Sequence, residues 1–528
     1  MTKINLSNKK LFTALMLTSL YASASIAEKG EFDLDWRNGE VLTATLFSSS
    51  LACGVEQAYF DNASKLNAIE DGYLVSGYIY NLLLDRLDQP RQSAILKLSL
   101  DGSVTSSYGE NGVFCAEGPG YGALMMTNSD SALVVDTYQT SSGATTSNDL
   151  AGIQVTRVTT QGMLDSNFGV DGTNGTTWAQ MPQTQGFGDL EAVKQLDNGE
   201  IKVIGRVHYP EFFTQPTSLT LESNGDNLTM QQYSPYTGGQ ANPNFFEVSS
   251  GATGTAVLSD GTWYQNMVFR EYDSNFQPLG YIALIRKYFS DGNLDINFGD
   301  QGELTIAPEG LTFFPASLLL TPNQKLLIAG VAHPEGDNSQ PNLHLIRLEL
   351  DGSLDSSFPE SVNLPLSIEP LSVGEEHFIH VSVKSVITSV ENEILLNLGI
   401  SRTIVSATST TNENLNQLIA LSSQGELMTD IFDGGILALD DQFKITQLVE
   451  QPDGKLLLVG RCMINNIWQS CIKSMNWNNP DSSGNSDDEN SEGTQQSSGS
   501  GSIPISSLVI FLFGLYFLRK NNNRFFIK

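Results

Sequence analysis

Positive charge is scarce in this sequence. Lysine and arginine together number 28 against 59 aspartate and glutamate residues, so the net charge is −31 at pH 7. A surface of that sign repels phosphate backbones and anionic lipid headgroups, which argues against nucleic acid as a partner. Charged residues of either sign make up only 16% of the chain, which is sparse for a cytosolic protein.

Histidine is also rare, and the familiar catalytic motifs are missing. The five histidines are His208, His333, His344, His377 and His380. His377 and His380 are three residues apart, which places them on opposite faces of a strand, so a shared metal is not expected. The sequence has no H-E-x-x-H, G-x-S-x-G, phosphate-loop or dinucleotide fingerprint. We therefore expect the histidines to be structural, and we predict no metal ligand, no catalytic residue and no cofactor.

Only four cysteines are present, Cys53, Cys115, Cys462 and Cys471. Three pairings are possible among them, and the absence of C-x-x-C argues against a zinc ribbon or a redox motif. Cys462 and Cys471 flank the turn-like INN of RCMINNIWQSC, so two adjacent antiparallel strands would bring them together. We favour that disulfide, which leaves Cys53 with Cys115.

Both ends of the chain carry address signals. Three lysines, the apolar run LFTALMLTSLYASA and the small-residue stretch ASASIA are typical of a secretory signal peptide over 1–27, cut after Ala27. At the other end, an acidic Ser/Gly-rich linker at 480–502 precedes the apolar run IPISSLVIFLFGLYFL at 503–518 and a basic end at 519–528. We expect the apolar run to be a transmembrane anchor or a processed sorting helix, with the basic end cytoplasmic. All four cysteines then lie in the exported part, where oxidation is permitted.

The C-terminal end resembles the bacterial GlyGly-CTERM sorting tail, which has a Gly-rich motif, a transmembrane stretch and a basic terminus. The resemblance implies cleavage by a rhomboid-type protease and release to, or attachment at, the cell surface. This sequence differs in that Ser500 separates Gly499 from Gly501, so no Gly-Gly pair is present. We predict an exported protein of the bacterial cell envelope, anchored by the C-terminal helix or released after its cleavage.

A pattern of about 60 residues recurs seven times between these ends. Each unit has an apolar strand, a turn and a second apolar strand, as in QLDNGEIKVIG, LTPNQKLLIAG and EQPDGKLLLVG, and the turns lie 59 to 69 positions apart. The turn residues are Asp71, Asp130, Asn198, Asp260, Asn323, Asn392 and Asp453. A second pattern follows in most units, as in LDSNFGVDG, LDINFGDQG and LDSSFPESV. Asp-Gly and Asn-Gly between short apolar runs predict hairpins, about four short strands per unit.

Units of this size and strand content match the blades of a β-propeller. The seventh unit stops near Trp477 without its second pattern, and EFDLDWRNGEVLTATLF at 31–47 echoes the missing part. We predict an all-β propeller over 28–479 with seven blades of four antiparallel strands, closed by an N-terminal strand. A stray N-terminal strand on an unclosed array is the alternative.

The motifs QPDGKLLLVGR, LDGSLDSSF and DGNLDINFGDQG resemble the delta-60 repeat, a propeller-type bacterial repeat. That resemblance implies the fold but brings no activity, cofactor or catalytic residue. The aspartate of the LD-x-x-F pattern recurs as Asp165, Asp295 and Asp355. A calcium-ligand role is the alternative for these residues, but calcium needs six to eight oxygens and each aspartate stands nearly alone. We expect each to accept hydrogen bonds from its own turn, and Phe168 and Phe298 to pack between blades.

Propeller ligands usually bind at the channel mouth or on inter-strand loops. The insertion YSPYTGGQANPNFF at 233–246 carries Tyr233, Tyr236, Phe245 and Phe246, and is our candidate ligand-contact loop. The leading hypothesis is a non-catalytic exported propeller that binds a protein or glycan partner through blade loops. The alternatives are an extracellular carbohydrate-active hydrolase or lyase, with two carboxylates from different blades roughly 5 to 10 Å apart in a pocket, and a structural envelope spacer.

Overall fold

The computed structural model of the protein consists of seven antiparallel sheets. It describes Phe32, Leu42–Thr43 and residues 58 to 477, except for 82–91, 120–123, 128–130, 140–150, 170–174, 181–185, 209–213, 234–244, 248–253, 273–277, 307, 335–340, 360–361, 366–375, 407–408, 433, 440–441, 452–453 and 465. The predicted signal peptide, acidic linker, apolar segment and basic end lie outside the described residues. Within the described part, no helix is long and apolar enough to cross a membrane.

The first strand, β1 (Leu42–Thr43), belongs to the last blade, and the first three blades follow it along the chain. Blade 1 contains β2 (Ala58–Ile69), β3 (Gly72–Asn81), β4 (Gln92–Ser99) and β5 (Val113–Pro119). Blade 2 contains β6 (Leu124–Thr127), β7 (Ser131–Gln139), β8 (Ala151–Thr159) and β9 (Thr176–Gln180). Blade 3 contains β10 (Gly186–Gln195), β11 (Ile201–His208), β12 (Thr214–Leu221) and β13 (Thr229–Gln232).

Blades 4 to 7 follow the same order, except that the first strand of blade 4 is split in two. Blade 4 contains β14 (Phe245–Glu247) and β15 (Thr255–Val257), which both pair with β16 (Trp263–Tyr272), and then β17 (Pro278–Tyr288) and β18 (Glu303–Ile306). Blade 5 contains β19 (Leu311–Leu320), β20 (Leu326–Pro334), β21 (Asn342–Leu348) and β22 (Val362–Pro365). Blade 6 contains β23 (Glu376–Thr388), β24 (Ile394–Val405), β25 (Thr410–Leu421) and β26 (Ile436–Leu439). Blade 7 contains β27 (Phe443–Glu450), β28 (Lys455–Ile464), β29 (Ile467–Asn476) and β1.

The N-terminal strand closes the ring, as the sequence predicts. Leu42 and Thr43 of β1 pair with Ile472 and Cys471 of β29, and an isolated bridge joins Phe32 to Met475. The first strands of consecutive blades contact one another in turn, from β2 through β6, β10, β15, β19, β23 and β27 back to β2. A seven-bladed propeller with four-stranded antiparallel blades is therefore confirmed.

The hydrophobic core is divided among the blade interfaces. Seven clusters of buried residues occur in the described part, and each joins two neighbouring blades. Leu457 and Val459 of blade 7, for example, pack with Leu66 and Val75 of blade 1. Because the strands are buried on both faces, their sequences are continuous apolar runs and not alternating patterns. All seven clusters of the described residues lie between residues 66 and 477, within the unit Met1–Pro480.

A glycine near the middle of the second strand permits a bulge in the first. The first strands of blades 3, 5 and 7 carry a register shift opposite Gly205, Gly330 and Gly460. A Cβ atom on Gly460 would overlap the backbone carbonyl oxygen of Lys444. In blades 5 and 7, the glycine that ends the LLLVG-like run is therefore required by the close approach of the neighbouring backbone.

One predicted disulfide is confirmed. Cys462 and Cys471 are bonded across the adjacent strands β28 and β29, with their Cα atoms 5.8 Å apart. Cys115 in β5 is also disulfide-bonded. Its predicted partner, Cys53, lies outside the described residues.

Replacing Gly460 with alanine is expected to lower the free energy of unfolding by about 3 kcal/mol, because the new methyl group would displace backbone in the bulge. Gly399→Ala is the matched control, since a Cβ there would meet the flexible end of the Lys384 side chain at 2.8 Å. The control is expected to cost about 1 kcal/mol or less. Urea denaturation of both variants checks this, and equal losses would contradict it.

Candidate functional site

The turns between the third and fourth strands of blades 1 to 6 are all acidic. We call them the outer turns, residues 100–112, 160–175, 222–228, 289–302, 349–361 and 422–435. Each contains aspartate or glutamate and none contains lysine or arginine. Strands alternate in direction, so these turns lie at the same face of the ring. That face disfavours anionic ligands and favours neutral or cationic ones.

The outer turns also join neighbouring blades through an apolar contact. Phe298 of blade 4 is buried against Gly352 of blade 5, where a Cβ atom would lie 2.8 Å from its ring and the backbone has φ of +90°. The same contact joins Tyr108 with Gly162, Phe168 with Gly225, Tyr233 with Gly292, and Phe358 with Gly425. The predicted packing of Phe168 and Phe298 between blades is confirmed. Only glycine fits both this backbone conformation and this close approach.

Tyr233, predicted from sequence as a ligand contact, lies in this interface. Its side chain is 8% exposed, its ring centroid is 5.4 Å from that of Trp263 and 4.9 Å from that of Tyr288, and its hydroxyl is 2.5 Å from the hydroxyl of Ser218. Tyr233 therefore packs blade 3 on blade 4. Phe245 and Phe246 belong to β14, opposite Glu271 and Arg270, and Tyr236 lies outside the described residues. The ligand role of these residues stays a prediction.

The recurring aspartates each complete a turn and an ion pair. Arg347 Nε donates to Asp355 Oδ2 at 2.6 Å, and its Nη1 donates to the Ser423 carbonyl of blade 6 at 2.6 Å. Asp355 Oδ1 accepts from the Ser357 backbone N–H at 2.9 Å, as expected for a turn aspartate. Burial by itself raises the pKa of Asp355, but the hydrogen bonds from Ser357 and Arg347 outweigh it and hold the pKa below its ordinary value.

The same pairing recurs in two other blades. Arg157 Nε lies 2.7 Å from Asp165 Oδ2, and Lys287 Nζ lies 2.9 Å from Asp295 Oδ2. Each aspartate also accepts a backbone N–H two residues ahead, at 3.0 Å and 3.1 Å. The turn role predicted for these residues is confirmed, and their carboxylate oxygens bind donors of the protein itself.

A cleft lies between blades 1 and 2. We call it the blade 1–2 cleft; its volume is about 500 Å³. Its lining residues are Ala68, Ile69, Glu70, Asp71, Leu74, Tyr108, Thr127, Ser131, Ala132, Thr159 and Thr160. Seven of these eleven carry side-chain oxygens, but most of the cleft surface is apolar. Such a volume suits a small ligand or a few units of a polymer.

Tyr108 is the residue of this cleft whose buried hydroxyl lacks a hydrogen-bond partner. Its side chain is 1% exposed, and its hydroxyl has no hydrogen-bond partner in the structure. Burial raises the pKa of Tyr108, which keeps the hydroxyl protonated. The equivalent residues of blades 2, 4, 5 and 6 are Phe168, Phe298, Phe358 and Ile431. The packing between blades therefore does not require a hydroxyl group here.

Two carboxylates flank the blade 1–2 cleft. Asp71 Oδ2 accepts a hydrogen bond from Lys97 Nζ at 2.8 Å, and this ammonium lies 6.0 Å from the centre of the Tyr108 ring. Glu70 is exposed beside it. The two acidic residues are neighbours in a single turn of blade 1, so they do not face each other across the cleft.

A second cleft, of about 400 Å³, lies between blades 4 and 5. We call it the blade 4–5 cleft, and its lining residues are Leu304, Thr305, Ile306, Pro308, Glu309, Leu311, His344, Ile346, Leu348, Gly352 and Leu354. His344, in β21, is 1% exposed, and burial lowers its pKa, so the ring is neutral at pH 7. Its ring centroid is 5.3 Å from that of Phe313.

The buried carboxylates of the described strands are already paired with donors. Glu191 of β10 accepts hydrogen bonds from Arg206, from Thr255 of the next blade and from Gln265. Asp136 accepts one from Ser93 of blade 1. Neither residue lines a cleft described above, and in neither cleft do carboxylates from two blades meet. Two facing carboxylates, the arrangement required by a glycoside-hydrolysing centre, are not found in these clefts.

Sequence reasoning missed both clefts, although a signal for one of them exists in the repeat. When the units are superposed on their second pattern, Tyr108 is polar where phenylalanine or isoleucine stands in blades 2, 4, 5 and 6. His344 gives no such signal, because glutamine stands at its position in blades 2 and 6.

A family model agrees with the architecture. Residues 321–358 match this model, which is described as a domain of unknown function (DUF5122) beta-propeller. No curated protein matches the chain in sequence. Among solved structures, a polysaccharide lyase of family PL25, an ulvan lyase, is similar at 11% identity over 79% of this chain and 93% of that chain, with a TM-score of 0.43.

Two further structures show similar values. The β-propeller domain of the Trilobed protease from Pyrococcus furiosus has 9% identity over 80% of this chain and 99% of that chain, with a TM-score of 0.38. Drosophila Semaphorin 2a has 10% identity over 80% of this chain and 74% of that chain, with a TM-score of 0.34. None of these likenesses tells what this chain binds.

Removing Arg347 is expected to destabilise the ring strongly. Arg347→Met leaves the carboxylate of Asp355, whose side chain is 2% exposed, buried without its counter-ion, and we expect a loss of about 3 kcal/mol or more. Lys325→Met is the control, because the Lys325–Glu349 pair is considerably more exposed and should contribute less than about 1 kcal/mol. Urea unfolding of both variants at pH 7 measures the difference, and similar losses would refute the role given to Arg347.

Proposed function

We propose that this chain is an exported, non-catalytic propeller of the cell envelope that binds a neutral saccharide in the blade 1–2 cleft. The observation that carries the proposal is the composition of that cleft, in which side chains with hydroxyl or carboxylate oxygens border a larger apolar surface. Sugars present many hydroxyl groups, each of which donates and accepts, together with apolar C–H faces. Threonine, serine and tyrosine hydroxyls and carboxylates match that chemistry.

The unpartnered hydroxyl of Tyr108 supports a ligand in this cleft. A buried hydroxyl without a partner costs roughly 1 to 3 kcal/mol. The blades with phenylalanine at the same position do not bear that cost, and the contact with the glycine of the next blade still forms there. A sugar hydroxyl that forms a hydrogen bond with the Tyr108 hydroxyl would remove this penalty. That hydrogen bond would add to the affinity that the other cleft residues provide.

The charge around the blade 1–2 cleft determines which class of saccharide fits. Glu70 and Asp71 lie in the cleft, and the outer turns beside it carry no lysine or arginine. Sulfated or uronic acid sugars would meet like charge at this site. Neutral oligosaccharides are therefore the class that fits.

A binding role fits the cleft better than the alternative of a hydrolase. A glycoside-hydrolysing centre uses two carboxylates on opposite sides of the bond to be cleaved. In the blade 1–2 cleft the carboxylates are adjacent, and Asp71 is engaged by Lys97. A protein partner held by the acidic face is the other outcome that the experiment below distinguishes.

The location of the protein is also part of the proposal. A signal peptide over 1–27 and a sorting or anchor helix at 503–518 are expected from the sequence. The disulfide between Cys462 and Cys471 supports an oxidising compartment. The delta-60 and GlyGly-CTERM resemblances are consistent with a bacterial envelope protein, which would meet cell-surface or environmental glycans.

The test uses residues 28–480, which contain all seven blade cores. An array of neutral and acidic oligosaccharides identifies binders, and isothermal titration measures the strongest one. We expect neutral sugars to bind and the Tyr108→Phe and Thr160→Val variants to bind roughly three- to tenfold more weakly, the effect of one lost hydrogen bond. Tyr108→Phe keeps the ring against Gly162, so its folding is expected to be unchanged.

Thr305→Val in the blade 4–5 cleft is the matched control and should leave sugar binding intact. Binding only to acidic sugars, or equal binding by all variants, would contradict the proposed site. If no sugar on the array binds, and the chain captures a basic protein that salt releases, the partner is a protein and not a saccharide.

A further inference from the structure

The imidazole of His344 is buried without a polar partner. Its residue is 1% exposed, and neither Nδ1 nor Nε2 has a hydrogen-bond partner in the structure. A neutral imidazole has one N–H donor and one acceptor nitrogen, so both functions are unused. Buried polar groups are normally paired, and an unpaired one calls for an explanation.

The fold does not explain this histidine. His344 lies four residues before the strand end marked by the Leu348–Leu354 bridge. The equivalent positions in blades 1, 2, 4 and 6 hold Ala94, Gln154, Leu284 and Gln417. Blade interfaces thus form without an imidazole at this place, and blades 1 and 4 use an apolar side chain.

The blade 4–5 cleft has apolar and polar surface in similar amounts, and its apolar residues lie near His344. Ile346 and Leu348 lie on the same face of β21 as His344, toward blade 4, and are buried. Leu304 of blade 4 and Leu311 of blade 5 are partly buried, and Leu354 is 49% exposed. The volume of about 400 Å³ lies in the range of sites for small molecules.

We propose that the blade 4–5 cleft binds a small neutral amphiphile, with its apolar body against the leucine and isoleucine side chains and a hydroxyl head group at His344. A hydroxyl both donates and accepts, so one such group complements the two unused functions of a neutral imidazole. An anionic head is disfavoured because Glu309 lines the same cleft and the outer turns are acidic. This site lies between other blades than the saccharide site and is independent of it.

Nuclear magnetic resonance tests the proposal with residues 28–480 labelled on histidine. The chain has only five histidines, and the His344→Leu variant identifies the signal of His344 by its absence. The probes are 1-octanol and 1-methoxyheptane, an ether of similar size that cannot donate a hydrogen bond. We expect octanol to shift the His344 imidazole resonances and to bind roughly three- to tenfold more tightly than the ether.

In His344→Leu the preference for octanol over the ether is expected to disappear, while apolar binding to the cleft is retained. His333→Leu is the control, because His333 does not line this cleft, and it should keep the preference. Urea unfolding verifies that each variant is folded. No shift of the His344 signal up to the solubility limit of octanol would overturn the proposal. The same preference in His344→Leu would also overturn it.

Discussion

The contact between an apolar side chain of one outer turn and a glycine of the next blade's outer turn is the constraint on which the ring depends. Each blade is buried on both faces, so its core exists only where two blades meet. The contact fixes how closely they meet. Backbone bonds support it, as where Gly109 donates to the Gln161 carbonyl at 2.9 Å and Gly169 to that of Asn224 at 2.8 Å. The Arg347–Asp355 pair extends the same joint by reaching the Ser423 carbonyl of blade 6.

Closure follows from packing each blade on the next and then sharing the last blade between the two ends of the chain. The contact with a glycine recurs at the five interfaces from blades 1 and 2 to blades 5 and 6. Leu42 and Thr43 supply the outermost strand of blade 7, so the N-terminal segment completes the last blade. A ring built in this way leaves few exposed strand edges. It also places similar turns in a row, and their shared acidity gives one face of the ring an excess of negative charge.

The repeat made the architecture predictable, and deviations from it were harder to interpret. Blade number, closure and the Cys462–Cys471 bond follow from periodic apolar runs and Asp-Gly turns, which are local signals. Tyr233 was not recognised as a core residue because it stands eight residues after its turn glycine, Gly225, whereas Phe168 stands six after Gly162. The clefts are lined by residues far apart in sequence, such as Ile69 and Thr159. A short sequence motif does not predict that such residues lie close together.

The residues that hold the ring together and the residues assigned to ligands can be separated on physical grounds. Positions filled alike in most blades satisfy the inter-blade joint, whereas Tyr108 and His344 add a buried polar group that the joint does not use.

The most direct measurement is a crystal structure of residues 28–480 with the neutral oligosaccharide that binds most tightly. The account predicts a sugar in the blade 1–2 cleft with one hydroxyl in hydrogen-bond distance of the Tyr108 hydroxyl. A sugar bound elsewhere on the ring, with the Tyr108 hydroxyl still unpartnered, would contradict it.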